Sequence, residues 1–238
     1  MTTPLTFVTF KWANPGYRSK FGPETVLTLR NMIGRHYKKP HRFVCITDDT
    51  TGLEGVDTIP LWPDHADIKN PHGKRNPSCY RRLKLFAPEA AAWFGDGTVV
   101  VMDLDTVIVG DITPLFEEDV DFKIWGESDF PQTQWMNGSL WMLKIGSKPH
   151  VWTRFDPKTS PKEAARAGAR GSDQGWMSYV LGKNEKTWGR EDGVFSFRKH
   201  IQPIGRVPVE ARMVMFHGHV DPWTTGMDRY PFVREHYR

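Results

Sequence analysis

An α/β fold on a mixed, mostly parallel central sheet with flanking helices is what this sequence predicts, and three observations carry that expectation. Strand-like apolar runs alternate with helix-spaced segments from Leu5 to Met102, the pattern of parallel strands joined by crossover helices. The run Val99 to Met102 is continuously apolar rather than alternating, as a strand buried on both faces should be. Hydrophobic residues make up 39% of the 238 and charged residues 25%, enough apolar material for a packed core and too little charge for a disordered chain.

Each element follows from its local pattern. Leu5 to Phe10 reads as the first strand, with a turn at Asn14, Pro15 and Gly16. Pro23 to Tyr37 carries Val26, Leu29 and Ile33 on one helical face and stops before Pro40. Arg42 to Ile46 reads as the second strand and Val56 to Leu61 as the third. A polar loop from Trp62 to Pro77 leads to a helix that Ser78 caps, running through Leu83, Leu85 and Phe86. The Val99 strand comes next. After Gly110 the rhythm changes. Pro114 to Phe116 suggests a helical turn, Phe122 to Trp125 and Ser139 to Leu143 suggest strands, and Phe155 to Gly171 suggests loop and short helix. Ser172 to Leu181 reads as a helix capped by Ser172, and Arg212 to Phe216 as a late strand. The tail from Asp221 is aromatic and charged without periodicity.

The chemistry concentrates where the Val99 strand ends. Asp103 and Asp105 follow that run directly, with a second apolar run from Val107 to Val109 behind them. A carboxylate at the mouth of a buried strand needs charge compensation, and two so close repel one another. Residues at i and i+2 of an extended chain point to the same side, so both can reach one hard divalent cation. A cation at a strand end of an α/β protein suggests a bound phosphate, and hence a nucleotide. The alternative is a pair of solvated turn carboxylates, which the apolar approach disfavours. We therefore expect a single domain, 1–238, with a nucleotide-binding half, 1–110, and a more irregular half, 111–238.

Bulk properties bound the partners. The formal net charge is +4 with a sequence pI near 9.0. Polyanions are therefore candidate partners, but the charge is spread along the chain with no long Lys/Arg block. The two cysteines, Cys45 and Cys79, lack metal-site spacing, and Cys45 sits in a strand-like run as a small buried hydrophobe. No signal-like N-terminal segment and no window of membrane-span length is visible, so a cytoplasmic protein is expected. Ten Trp residues serve packing, with some rings available to line a cleft.

The segment M-D-L-D-T-V-I-V-G-D-I-T-P-L-F, from Met102 to Phe116, resembles the metal-binding segment of GT-A fold glycosyltransferases, especially the glycogenin-like family 8. Four further segments arrive in that family's order. Tyr80-Arg81-Arg82-Leu83-Lys84 is similar to its basic helix, Asn137-Gly138-Ser139 to its sugar-pocket Asn-Ser-Gly, and Ser172-Asp173-Gln174-Gly175 to its Asp-Gln-Gly helix start. Phe216-His217-Gly218 with Asp221-Pro222-Trp223 is similar to its closing segment. The chain departs from the pattern in three ways. Met215 stands where the histidine falls three residues before the glycine, Asp221 stands for the basic residue before Pro-Trp, and Asn-Gly-Ser replaces Asn-Ser-Gly.

The resemblance implies a metal-dependent transferase that moves a sugar, with retention at the anomeric carbon, from a nucleotide diphosphate sugar to an acceptor hydroxyl. A UDP-sugar is the first candidate donor, Mn2+ or Mg2+ the cofactor, and a saccharide or other hydroxyl compound the acceptor. Asp103 and Asp105 would hold the ion, with His217, or alternatively His219, as third ligand. Asp173 and Gln174 would meet sugar hydroxyls near the anomeric carbon, where a carboxylate stabilises an oxocarbenium-like transition state; the alternative is the ordinary acidic bias of a helix start. Asp129 would contact sugar or acceptor, or cap the turn at Pro131. Asn137 would bond the donor sugar, or serve as a turn residue before Gly138. Arg82 would neutralise phosphate, with Gly218 in the closing segment. Thr9, Lys11 and Tyr17 lie where the family holds the nucleoside, with Tyr17 stacking on the base or packing in its loop. Two rival readings stand beside this one. The basic loop from Lys69 to Arg82 could hold nucleic acid, so that modified bases are the acceptor, or the fold could serve as a non-catalytic nucleotide-sugar binding module.

Overall fold

A computed structural model describes residues 4–13, 20–73, 78–128, 131–218 and 220–238. In chain order its elements begin with β1 (Leu5–Lys11), α1 (Pro23–His36), β2 (His41–Thr47) and β3 (Asp57–Pro60). A 3-10 segment, Tyr80–Phe86, and a short helix, α2 (Ala91–Phe94), lead to β4 (Thr98–Met102) and β5 (Thr106–Ile108). Then come β6 (Phe122–Trp125), β7 (Asn137–Lys144), α3 (His150–Thr153), α4 (Ser160–Arg166) and α5 (Asp173–Leu181). The chain closes with β8 (Lys186–Trp188), β9 (Val194–Ser196), β10 (Met213–Met215) and α6 (Pro231–His236).

Seven strands form the main sheet in the order β3-β2-β1-β4-β7-β6-β8, and β5-β10-β9 form a small second sheet. Within the main sheet β7 runs antiparallel to both its neighbours, while the other pairs are parallel. The fold is thus the mixed, mostly parallel α/β architecture that the strand–helix alternation predicts.

The apolar runs are explained by burial on both faces. In β1, Phe7 belongs to one core and Val8 to the other. In β4, Val100 and Met102 face the first core, Val99 and Val101 the second. With both faces covered, a strand gains nothing from alternating polar residues. α1 covers the first face through Val26, Leu29 and Ile33, joined by Met213 of the small sheet and by Phe232 and Val233 of α6. The second face lies under Leu83 and Phe86 of the 3-10 segment and Trp176 and Met177 of α5. There Phe86 stacks on Trp141 with ring centroids 5.2 Å apart and planes 11° from parallel.

α1 obeys its sequence signals. Pro23 opens it, Glu24 sits in its first turn, and Arg35 and His36 lie in its last, complementing the helix dipole. Three expectations need correction. The Ser78 segment is a 3-10 helix, and Ser78 donates its hydroxyl to the Ile68 carbonyl instead of capping it. Ser172 stands at the N-cap of α5 but makes no capping bond; its Oγ accepts from the Cys79 N–H at 2.8 Å. The tail is not without structure, since Pro231–His236 is helical. The turn expected at Asn14–Gly16 lies outside the described residues.

The chain order explains where a site can form. From β1 the chain moves out through β2 to β3, then returns to the other side of β1 as β4. The connections leaving the carboxyl ends of β1 and β4 diverge, and in open α/β sheets ligands bind in that crevice.

Trp141→Ala should lower unfolding stability by about 3–5 kcal/mol, because it empties a fully buried position and removes the Phe86 stack. Trp141→Phe should cost clearly less; equal losses in urea titrations would deny the stack any special part.

Candidate functional site

Thr9 and Lys11 end β1 beside the end of β4. Thr9 donates its hydroxyl to the Met102 carbonyl at 2.9 Å, tying the two strand ends together. Lys11 is buried, and its ammonium turns toward the end of β2. It donates to the Asp49 carbonyl at 2.8 Å, with the Asp49 carboxylate 4.0 Å away. Sequence reasoning groups Thr9 and Lys11 together; the structure directs the first to β4 and the second to β2.

One step beyond β4 lies the centre of the site. The Arg82 side chain is only 6% exposed and forms two ion pairs. Its Nη1 donates to Asp103 Oδ1 at 2.6 Å and its Nε to Asp173 Oδ2 at 2.6 Å. Burial works against the charged Arg82, but the Asp173 and Asp103 carboxylates outweigh it and hold its pKa above the usual arginine value. Burial pushes the Asp173 carboxyl up, and Arg82 pulls against it. Asp103 differs from Asp173 in keeping 34% of its side chain exposed, against 3%.

The Asn-Gly-Ser segment closes around this guanidinium. Ser139 accepts the Asp103 N–H at its carbonyl, 2.9 Å away, and donates its own N–H to Asn137 Oδ1 at 3.0 Å. The Gly138 N–H donates to Gln174 Oε1 at 3.1 Å. A Cβ at Gly138 would fall 2.6 Å from Arg82 Nη2, so the guanidinium needs a glycine there. Gly171, with φ +85°, similarly leaves room for the Gln174 side chain, which a Cβ would meet at 2.8 Å. Arg82, Asp103, Asn137, Asp173 and Gln174 are therefore one contiguous network.

Asp105 and the His-Gly segment meet through backbone. β5 pairs antiparallel with β10, Thr106 opposite Met215, and the Phe216 N–H continues the ladder to the Asp105 carbonyl at 3.3 Å. The His217 Nε2 is 2.7 Å from Ser196 Oγ, and its ring is 5.5 Å from that of Trp125. Gly218 adopts φ +92° as the chain leaves β10. Among the described residues no group of three or more His, Cys, Asp or Glu side chains is gathered as a metal cage. Tyr17, Asp129 and His219 lie outside the described residues.

The donor chemistry nevertheless fits a hard divalent ion. Asp103 and Asp173 set two carboxylates against the single guanidinium of Arg82, and Asp105 follows Asp103 by two residues. Mg2+ and ions like it are commonly held by one or two carboxylates, with waters and substrate phosphates completing the shell.

Two features lay beyond sequence reasoning. Arg82 stands out in the sequence as a phosphate partner, but not as the bridge between Asp103 and Asp173; nothing local links positions 82, 103 and 173. Tyr237 also comes to the site: burial raises its phenol pKa, and the nearby carboxylates of Asp105, Glu24 and Asp221 add to it.

No family model matches the sequence, and no curated protein matches it. Solved structures do. A galactosyltransferase, LgtC, crystallised with donor and acceptor sugar analogs, superposes with a TM-score of 0.62 at 14% identity, over 96% of this chain and 93% of that one. The chain has the GT-A glycosyltransferase fold. Mouse xyloside xylosyltransferase 1 matches with a TM-score of 0.55 at 11% identity, over 91% of this chain and 98% of that one. The glycosyltransferase GlyE of Streptococcus pneumoniae matches with 0.59 at 12% identity, over 96% of this chain but only 60% of its own. Among the described residues of this GT-A fold, no helix is long and apolar enough to cross a membrane.

Arg82→Met should destabilise the protein by about 3–5 kcal/mol, the cost of stranding a buried carboxylate, while Arg82→Met/Asp173→Leu recovers much of the loss. Urea unfolding of both variants checks this. A single-variant loss under about 1 kcal/mol, the scale of an exposed pair, would mean the bridge carries little.

Proposed function

We propose that this protein is a glycosyltransferase that moves a sugar from a nucleotide diphosphate donor, a UDP-sugar first among candidates, to an acceptor hydroxyl. The observation that carries this reading is the buried Arg82 bridge. It holds Asp103, at the mouth of β4, and Asp173, at the start of α5, on one guanidinium, in a fold shared with glycosyltransferases.

Asp103 and Asp105 would hold Mn2+ or Mg2+, with His217 as third ligand. When bound, the ion neutralises the charge that develops on the departing nucleotide diphosphate. The remaining work belongs to the chain's own groups. Thr9 and Lys11, at the end of β1, would meet the nucleoside, and Gly218 would lie beside the diphosphate. Asn137 and Gln174 orient the sugar by its hydroxyls. Asp173 stays ionised against Arg82 and stabilises positive charge at the anomeric carbon. Its carboxylate is already engaged by the guanidinium at 2.6 Å, which suits an electrostatic part better than that of a covalent nucleophile. That arrangement agrees with front-side transfer and retention.

Asp103→Ala and Asp105→Ala should each abolish metal-dependent UDP binding and donor hydrolysis while the folded circular dichroism spectrum survives. Unchanged Mn2+-dependent binding in both variants sinks the proposal. Release of free UDP on adding metal and donor separates an enzyme from a binding module, which would hold the sugar without turnover.

A further inference from the structure

Next to the start of α5 lies an open cleft of about 370 Å3 whose described lining residues include His72, Lys162, Arg166, Gly168 and Arg170 and no acidic residue. Lys162 and Arg166 are exposed and stand four residues apart on α4, where like charges repel. Neither has an ion-pair partner among the described residues. Arg170 is held in place by the opposite wall. Its Nη1 lies 3.5 Å from His72 Nδ1, and His72 Nε2 lies 3.0 Å from the Ala169 carbonyl. A guanidinium only donates, so Nδ1 accepts and the Nε2–H donates to Ala169. The neutral imidazole thus positions a guanidinium that faces two more cations. Three cationic side chains line one open concavity, with no carboxylate among its described lining residues, a composition that suits a multiply charged anion.

The cleft is joined to the candidate sugar site by backbone. The Arg170 N–H donates to Gln134 Oε1 at 2.6 Å, its carbonyl accepts from Gln174 Nε2 at 3.4 Å, and Asp173 follows three residues later. No lining residue belongs to β1, β4 or the 103–105 segment, which receive the donor diphosphate in the reading above. The anion is therefore a second one. We propose that this cleft binds a phosphate group carried by the acceptor saccharide, an inference that rests on the glycosyltransferase reading and names its acceptor class. A nucleic acid fits less well, since it requires a row of cations along a backbone rather than a single convergent pocket.

Calorimetric titration of the full chain with glucose 6-phosphate, glucose and inorganic phosphate tests the idea, alongside Lys162→Ala/Arg166→Ala. Glucose 6-phosphate should bind about tenfold or more tightly than either glucose or inorganic phosphate, and the double variant should lose about tenfold or more of that affinity. Circular dichroism confirms that the variant, altered at exposed positions, remains folded. Glucose 6-phosphate binding no tighter than glucose, or equally well to the double variant, overturns the proposal. Inorganic phosphate binding as tightly as glucose 6-phosphate overturns the saccharide part, and so does a single-stranded oligonucleotide that binds tighter with a steep salt dependence. A thermal-shift measurement with UDP-sugars and Mn2+ separates the two readings. Donor stabilisation without glucose 6-phosphate binding removes only the phosphate cleft. Phosphate binding without any donor response removes the acceptor assignment together with the enzymatic reading.

Discussion

The site depends on one buried guanidinium. Arg82 joins three chain segments that are remote in sequence: the 3-10 segment, the end of β4 and the start of α5. A charge so deep is tolerable only when paired and hydrogen-bonded. Such a pair adds little net stability over an apolar replacement. Its value is directional: the fork of the guanidinium admits few arrangements of its partners. Asp103 and Asp173 are consequently held toward a common point, and Gly138 is needed because any larger residue would meet the fork.

The sheet supplies the place for that bridge. Four parallel neighbours, β3, β2, β1 and β4, bring their carboxyl ends to one edge, and the reversal of strand order between β1 and β4 opens a crevice there. The two cores on either side stiffen the strands, with Phe7 and Val100 on one face and Val8 and Val101 on the other. Polar groups at the rim therefore sit on a rigid edge. The small sheet β5-β10-β9 adds the second wall, laying Phe216 along Asp105.

Much of this was legible along the chain. The Val99 run announces β4 because continuous burial leaves a continuous apolar record. Pro23, the spacing of Val26, Leu29 and Ile33, and the terminal Arg35 and His36 announce α1, because helix period and helix dipole are local properties. The short elements were harder. β8 and β9 have three residues each, too few to establish a period, and α6 in the tail is stabilised by packing Phe232 and Val233 into the core rather than by any pattern of its own. Ser78 and Ser172 read as caps because their residue type favours capping, yet tertiary partners, Ile68 and Cys79, claim their hydroxyls.

The candidate site divides in the same way. Asp103 and Asp105 are recognisable from sequence, since a carboxylate pair at the end of an apolar run is improbable unless something compensates it. The identity of that compensation is not local. Arg82 reaches Asp103 across 21 positions and Asp173 across 91, and His217 is turned to Ser196 by packing that no spacing rule describes. Sequence by itself determined which segments are strands and where acid collects, because hydrophobic period and charge are carried residue by residue. Tertiary structure alone decided which charges share a partner, because ion pairing and burial are properties of distance in space, and the chain's order holds no measure of it.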